Sequence, residues 1–325
     1  MIESIRTYLP KTVVTNDDLA AVFPNWSANQ IYLKTGIRER RIASSAECAS
    51  DLAYQAAREL LAKSGNGVDW LLFCTQTPDY LLPTTACILQ QRLGLPTSCA
   101  CLDFNLGCSG YVYGLALAHS LISAGGVEKV LLLTADTYSK LLKTDDKTTR
   151  TIFGDAGTAS LLCKTARARL HSFILGTDGL GAERLIVRGG GARGDSLKQQ
   201  NLPPPRAVAD GCLYMDGPEI FNFTLSAVPN MVDQVLQKAR LSKDSIDLFV
   251  FHQANAFMLE HLRRKLNISI DRFVVDLEST GNTVSSTIPL ALANANAAGR
   301  LKAGMKILLA GFGVGYSWGG CILEW

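Results

Sequence analysis

Short apolar runs recur along the chain and alternate with longer stretches of helix length. Six runs have the length and composition of fully buried strands: 70–74, 100–104, 130–134, 248–251, 273–277 and 306–310. The segments 109–123 and 287–298, which lie between such runs, are long enough for helices. Strand–helix–strand alternation of this kind predicts an α/β fold in layers, with largely parallel sheets.

The order of these elements occurs twice. In the first half, two strands lead to a glycine-bearing turn at Gly107-Cys108, followed by an apolar helix and a third strand. The second half repeats this order around a turn at Gly281-Asn282. We therefore predict one α/β unit used twice, with an N-terminal half at 1–168 and a C-terminal half at 169–325. A chance similarity of two ordinary βαβ stretches is the alternative.

The composition is that of a globular protein with a large core. The 325 residues are 47% hydrophobic and 19% charged, which argues against disorder, coiled coil and collagen. The net charge of +3 is too small to indicate nucleic-acid binding. The longest charge-free stretch, 307–323, contains five glycines and favours a buried strand–turn–strand over a membrane span.

The nine cysteines show no CxxC motif, and most lie in apolar runs. This pattern is typical of reduced, buried thiols in a cytoplasmic protein. The first ten residues also lack the apolar stretch of a signal peptide. Without an HExxH motif or a calcium loop, no metal site is predicted, and the glycine-rich stretches 189–194 and 311–315 are weak candidates for nucleotide binding.

Cys108 is the cysteine with the most distinctive position. It follows a predicted strand and opens an apolar helix, where the helix dipole and unpaired N–H groups are expected to favour the thiolate. The other eight cysteines lack this context. A packing role is the alternative, because free cysteines are among the most buried residues.

Two further residues lie at corresponding turns. His252 ends an apolar strand, at the edge where an α/β sheet presents its functional groups. Asn282 lies in the second-half counterpart of the Cys108 turn, where its amide could donate to a developing oxyanion. A structural histidine and an ordinary Gly-Asn turn are the alternatives.

Three motifs follow one another in a fixed order: Cys-Ser-Gly at 108–110, His-Gln-Ala-Asn at 252–255 and Gly-Asn-Thr at 281–283. Together with Thr-Gly-Ile-Arg at 35–38 and Phe-Gly-Asp at 153–155, they resemble the β-ketoacyl-ACP synthase III family of the thiolase-like superfamily. The resemblance runs nearly end to end. It implies a five-layer α/β/α/β/α sandwich built from two similar halves, usually a homodimer.

The same resemblance implies a condensing enzyme, an acyltransferase of fatty acid biosynthesis. Cys108 would accept the acyl group, and His252 and Asn282 would assist loss of CO₂ from a malonyl thioester to give a 3-ketoacyl thioester. Backbone N–H groups of Cys108 and Val314 would form the oxyanion hole. The expected substrates are acyl-CoA or acyl-ACP and malonyl-ACP, with an acyl carrier protein as partner and no cofactor.

Departures from the family pattern concern the substrate. The tryptophan and arginine that commonly clamp the CoA adenine correspond to Gln30 and Lys147. An asparagine that often contacts the pantetheine arm is Pro218, a carrier-docking arginine is Phe257, and a phenylalanine that reaches into the partner's acyl pocket is Leu82. A carrier-protein donor or an unusual primer therefore remains an alternative to acyl-CoA.

The positions expected to bind substrate are Lys34, Lys147, Leu82, Asn255 and Phe312. The basic run Arg263, Arg264 and Lys265 could dock an acidic carrier protein, or it could be a solvated helix face.

Two other functions remain open at this stage. One is an acyltransferase or a condensing enzyme of specialised metabolism with a different acceptor. The other is a non-catalytic partner subunit, against which the intact set of Cys108, His252 and Asn282 argues.

Overall fold

The structure, a computed structural model, describes residues 1–192 and 211–325. The strands of this part are β1 (Ile2–Tyr8), β2 (Thr12–Thr15), β3 (Glu39–Ile42), β4 (Trp70–Cys74), β5 (Ala100–Phe104), β6 (Lys129–Asp136), β7 (Ala156–Cys163), β8 (Arg169–Thr177), β9 (Leu185–Val187), β10 (Leu213–Met215), β11 (Leu248–Phe251), β12 (Lys306–Gly313) and β13 (Ser317–Glu324). Its helices are α1 (Asn16–Val22), α2 (Ala28–Thr35), α3 (Ala49–Ser64), α4 (Thr85–Arg92), α5 (Gly110–Ala124), α6 (Lys147–Arg150), α7 (Gly217–Ala239), α8 (Ala256–Lys265) and α9 (Thr287–Ala297).

Four strands follow the same order in each of the two large sheets. The first runs β1-β7-β6-β4-β5, with β4 parallel to both β5 and β6. The second runs β8-β13-β12-β11, with β11 parallel to β12. Taken in chain order, β1, β4, β6 and β7 of the first sheet therefore correspond to β8, β11, β12 and β13 of the second.

The predicted strand at 273–277 is wrong as a full strand. It forms only one bridge, between Phe273 and Phe249. Because β11 has ended by this point, the side chain of Gln253 takes the place of a neighbouring backbone, and its Oε1 accepts from the Asp276 N–H at 2.7 Å. The other five predicted strands and both predicted helices are confirmed, and no end of any of them is shifted by more than three residues.

Helices cover both faces of each sheet. Helices α3 and α4 pack on the outer face of the first sheet, and α7 and α8 pack on the outer face of the second. Between the sheets lie α5 and α9. In β6, for example, Leu131 and Leu133 point to the outer helices, whereas Val130 and Leu132 point to the central ones. Because both faces of such a strand are buried, its sequence is an uninterrupted apolar run. Helices, sheet, helices, sheet and helices thus form five layers, and the predicted sandwich is confirmed.

The cysteines are all free thiols. Cys87 is exposed, whereas the other eight are buried or partly buried, as the sequence predicted. Within the described ranges, no helix is long and apolar enough to cross a membrane.

Candidate active site

Cys108 lies in the turn between β5 and α5, and only 6% of its surface is exposed. The hydroxyl of the next residue, Ser109, lies 2.6 Å from that of Ser317 on β13. Strand β12 also passes close to Cys108 itself. A Cβ added at Gly313 would lie 2.8 Å from the Cβ of Cys108 and 2.9 Å from its Sγ. The turn of the first sheet therefore packs directly against the second sheet.

The net electrostatic prediction for Cys108 is wrong, although the predicted effect of backbone N–H groups is present. Burial dominates and raises the pKa of the thiol to about 12, and the charge of Asp136 raises it further. Hydrogen bonds from the backbone N–H groups of Cys108 and Val314 act in the opposite direction but are smaller. Helix α5 begins only at Gly110, so the thiol lies outside the first turn, where the dipole is strongest. Both N–H groups nevertheless converge on the sulfur.

The motifs predict that Cys108 is acylated, and we expect Gly313→Ala to lower the rate of that reaction by about ten- to a hundredfold. The added methyl group would displace the sulfur, and moving a reacting group by about 1 Å can cost about a hundredfold in rate. Gly67→Ala is the matched control, because a Cβ there meets nothing within 4 Å. The measurement is the rate of acyl-adduct formation by intact mass, and equal rates for the two variants would contradict this packing argument.

His252 directly follows β11 and is 1% exposed. Its backbone N–H donates to Ala310 O on β12 at 2.7 Å, and its Nδ1 lies 2.7 Å from the Thr287 hydroxyl. Burial lowers the pKa of the imidazole to about 3. The ring is therefore neutral near pH 7.

Asn282 is held in a tight turn. The preceding Gly281 has a left-handed φ of 69°, and a Cβ there would lie 2.7 Å from Ile152 O, which accepts the Asn282 N–H. The side-chain Oδ1 accepts from the Val284 N–H at 2.9 Å, which fixes the orientation of the amide. Its Nδ2 lies 3.5 Å from His252 Nε2.

One cavity of about 350 Å³ brings these residues together. Cys108, His252 and Asn282 all line it, as do the predicted substrate-binding residues Asn255 and Phe312. The ring centroid of Phe312 lies 5.5 Å from that of His252, in an edge-on arrangement. The volume and the apolar lining of this cavity are typical of a site that binds small molecules.

Two other predicted substrate residues lie outside this lining. The ammonium groups of Lys34 and Lys147 lie 4.5 and 5.2 Å from the ring centroid of Trp26. Lys147 adjoins the cavity through Thr148, which does line it. Gln30, in contrast, caps α2 by accepting the Ser27 N–H. The sequence motifs gave no sign of this tryptophan, although it stands only four positions before Gln30.

Leu82 is 82% exposed, beside Leu81 at 84%, and does not line the cavity of its own chain. Leu82 was predicted to reach into the acyl pocket of a second copy of the chain. Its exposure on a single chain does not test this, so the role stays a prediction.

The basic run at the end of α8 is partly neutralised. Arg263 and Arg264 both donate to Glu260, and these hydrogen bonds lower the pKa of its carboxyl to about 2. Arg263 also donates to Ile268 O at 2.7 Å. Arg263 is therefore held within the fold, whereas Arg264 and Lys265 are exposed.

No group of three or more His, Cys, Asp or Glu in the described part of the chain is arranged to hold a metal ion. That the protein needs no metal or other cofactor stays a prediction.

Comparison with known proteins identifies the family. Residues 102–179 match the family model described as 3-oxoacyl-[acyl-carrier-protein (ACP)] synthase III, and residues 236–325 match its C-terminal counterpart. The β-ketoacyl-[acyl-carrier-protein] synthase III of Xylella fastidiosa is 37% identical over 98% of this chain and 96% of its own length. The chain belongs to the β-ketoacyl-ACP synthase III family. It is a condensing enzyme of the acyltransferase class, as the motifs predicted.

Solved structures support the synthase fold. A crystal structure of a 3-oxoacyl-(acyl-carrier-protein) synthase III is 49% identical, with a TM-score of 0.93 over 100% of this chain and 99% of that one. A 3-oxoacyl-(acyl-carrier protein) synthase from Burkholderia xenovorans LB400 is 40% identical, with a TM-score of 0.90 over 99% of this chain and 93% of that one. These relatives favour a β-ketoacyl-ACP synthase over an acyltransferase with a different acceptor.

Proposed function

We propose that this synthase transfers an acyl group to Cys108 and condenses it with a malonyl thioester, using His252 and Asn282 for decarboxylation. The observation that carries this proposal is one cavity lined by a buried thiol, a neutral imidazole and a fixed amide. A non-catalytic subunit would have no need for all three groups.

In the first half-reaction, the Cys108 sulfur attacks the acyl thioester. The C–S bond to the donor breaks, and the departing thiolate takes up the proton lost by Cys108. Negative charge develops on the carbonyl oxygen, and the N–H groups of Cys108 and Val314 supply donors for it. With the thiol pKa at about 12, these donors and the bound thioester have to compensate for the cost of forming the thiolate.

In the second half-reaction, malonyl thioester loses CO₂, and the electrons of the broken C–C bond move to an enolate. Asn282 Nδ2 and His252 Nε2, 3.5 Å apart, are suited to a shared acceptor oxygen. The Thr287 hydroxyl lies 2.7 Å from Nδ1 and can also donate to Val284 O at 3.1 Å; when its proton is directed at Nδ1, the single ring proton resides on Nε2 and faces that oxygen. The enolate carbon then attacks the acyl-cysteine and releases the Cys108 sulfur.

The experiment that tests this function follows both half-reactions. Purified synthase is incubated with acetyl-CoA or acetyl-ACP, and intact mass reports an acetyl adduct on Cys108. Malonyl-ACP is then added, and mass spectrometry follows the 3-ketoacyl product. An adduct that transfers to other acceptors without release of CO₂ would contradict condensation.

Trp26 supports acyl-CoA as a donor. The ammonium groups of Lys34 and Lys147 lie over its indole, so an adenine that takes their place on the ring would have both cations nearby for its phosphates. This arrangement supplies the aromatic group that Gln30 cannot. We therefore propose that the CoA nucleotide binds at Trp26, with Lys34 and Lys147, and that Asn255 and Phe312 contact the arm and acyl group inside the cavity.

We expect Trp26→Ala to raise the KM for acetyl-CoA about five- to tenfold, which is the lower end of the loss for one stacked base. The KM for the acetyl thioester of N-acetylcysteamine, which has no nucleotide, should stay unchanged. Gln30→Ala is the control, because its side chain is engaged in capping α2. A rise in KM in Gln30→Ala but not in Trp26→Ala would refute this assignment.

The partners are proposed on charge and exposure. An acidic acyl carrier protein fits the exposed Arg264 and Lys265, while Arg263 supports the same helix end from within. The exposed pair Leu81 and Leu82 is an apolar surface that a second copy of the chain would cover, which is consistent with a homodimer and with Leu82 at a partner's acyl pocket.

We also propose the division into halves at 168 and 169, since β8, the first strand of the second sheet, begins at Arg169. A cytoplasmic location fits nine free thiols, which an oxidising compartment would not preserve.

A further inference from the structure

Thr224 is a buried polar residue whose hydroxyl has no protein partner within the described residues. It lies on α7, is 0% exposed and lines the same cavity as Cys108. Its Oγ1 makes no hydrogen bond to any part of the chain that the structure describes. A threonine inside a helix commonly donates to the carbonyl of the preceding turn, so an unpartnered hydroxyl here is unusual. Burying such a group is unfavourable unless something else satisfies it.

The position of Thr224 along α7 indicates what could satisfy it. Gly217, Pro218, Phe221 and Thr224 all line the cavity, and the rise from the first to the last is about 10 Å. Pro218 is exposed, Phe221 is half-buried and Thr224 is fully buried. The cavity therefore runs inward along this helix face, from the exposed Pro218 to the buried Thr224.

Apart from Thr148, which is exposed, the other polar side chains of the cavity have partners. Asn255 Oδ1 accepts from the Met258 N–H at 2.8 Å, and His252 Nδ1 contacts the Thr287 hydroxyl. Asn282 Oδ1 accepts a backbone N–H, as described above. Thr224 is thus the buried hydroxyl of this lining that is left for a substrate to bond.

The geometry points to Thr224 as a hydrogen-bonding subsite for the pantetheine arm of the thioester substrates, at the amide nearest the reacting sulfur. This inference rests on the proposed function. Two methylene groups separate the thioester sulfur from that amide, so the amide enters deeply when the sulfur reaches Cys108. The amide offers both a donor and an acceptor to a hydroxyl. An unsubstituted acyl chain offers neither, and would leave Thr224 unsatisfied.

Pro218 on the same helix face makes this contact more important. Its ring carries neither a donor nor an acceptor, so its side chain makes no hydrogen bond to the arm. We expect Thr224, about two turns further in, to provide a polar contact to the arm from α7.

The test is a cycle of two enzymes and two substrates. The substrates are the acetyl thioester of N-acetylcysteamine and that of a matched alkyl thiol in which methylene groups replace the amide. We expect Thr224→Val, which keeps the side-chain shape, to raise the KM of the first about five- to tenfold, with kcat nearly unchanged. The alkyl thioester should respond little, and Thr224→Ser should retain the wild-type preference.

Two further measurements separate this role from a structural one. Thr224→Val should melt at or above the wild-type temperature, because it removes an unsatisfied buried hydroxyl. Acetyl-CoA and acetyl-ACP share the arm, so both should lose kcat/KM by the same factor. A loss confined to one donor would place the contact outside the arm and overturn the inference. If Thr224→Val melts lower, Thr224→Ala should lose the amide preference and Thr224→Ser keep it.

Failure of this inference and failure of the proposed function give different results. A wild-type synthase that loads both thioesters, with the same ratio of KM values in Thr224→Val, overturns the subsite alone. A wild-type synthase that forms no adduct on Cys108 with any thioester overturns the proposed function and the subsite with it.

Discussion

Cys108→Ser is expected to lower the rate of acyl-enzyme formation by at least about a thousandfold, because loss of a nucleophile is among the largest single effects in an enzyme. A serine hydroxyl has almost no anionic form at neutral pH, and this site has no neighbouring strong base to deprotonate it. The imidazole of His252 is buried, which lowers its pKa to about 3, so it is a poor proton acceptor here. The fold should be unaffected, since a serine side chain occupies less volume than the cysteine it replaces in the same turn.

The measurement is intact mass after incubation with acetyl-CoA and acetyl-ACP, followed by peptide mapping. Cys74→Ser is the matched control. Cys74 is also fully buried and lies against the same turn, where its thiol donates to Leu106 O at 2.9 Å, and a serine hydroxyl preserves that bond. Loading should persist in this control. Wild-type adducts found on any cysteine other than Cys108 would refute the assignment of the nucleophile.

The fold was predictable to the extent that burial was uniform. Strands buried on both faces, such as β4 and β11, produce apolar runs whose ends coincide with the observed strand ends. The segment at 273–277 has the same composition, yet it forms one bridge only, because Gln253 bonds its backbone where β11 has ended. A side chain that replaces a strand partner leaves no periodic signal.

The sequence predicted which residues lie together in the candidate site, but not their electrostatics. The motifs identified Cys108, His252 and Asn282, and all three line one cavity. The sequence did not predict that the pKa of the Cys108 thiol is raised. A strand–turn–helix pattern reveals the nearby helix end, but not the packing of Gly313 against the sulfur, which buries the thiol. Trp26 was missed for a related reason, since its proximity to Lys147 arises from a contact between distant segments.

The second large effect concerns decarboxylation. We expect Asn282→Ala to lower CO₂ release from malonyl thioester by about a hundred- to a thousandfold, the usual cost of one lost oxyanion donor. Loading of Cys108 should be retained, because the donors proposed for that step are the backbone N–H groups of Cys108 and Val314. His252→Ala should show the same separation, although a missing imidazole also removes the ring that packs on Phe312.

Asn282→Asp makes the test sharper. An aspartate keeps an oxygen to accept the Val284 N–H, so the turn should be preserved, but it replaces the Nδ2 donor with an oxygen that repels an enolate. Decarboxylation should therefore fall at least as far as in Asn282→Ala. Since the pKa of His252 is about 3, its ring stays neutral from about pH 5 to 8, and wild-type CO₂ release should show no inflection from this group there. If loading and decarboxylation fall together in both variants, Asn282 acts on the first step. If decarboxylation persists in Asn282→Asp, the amide is not an enolate donor.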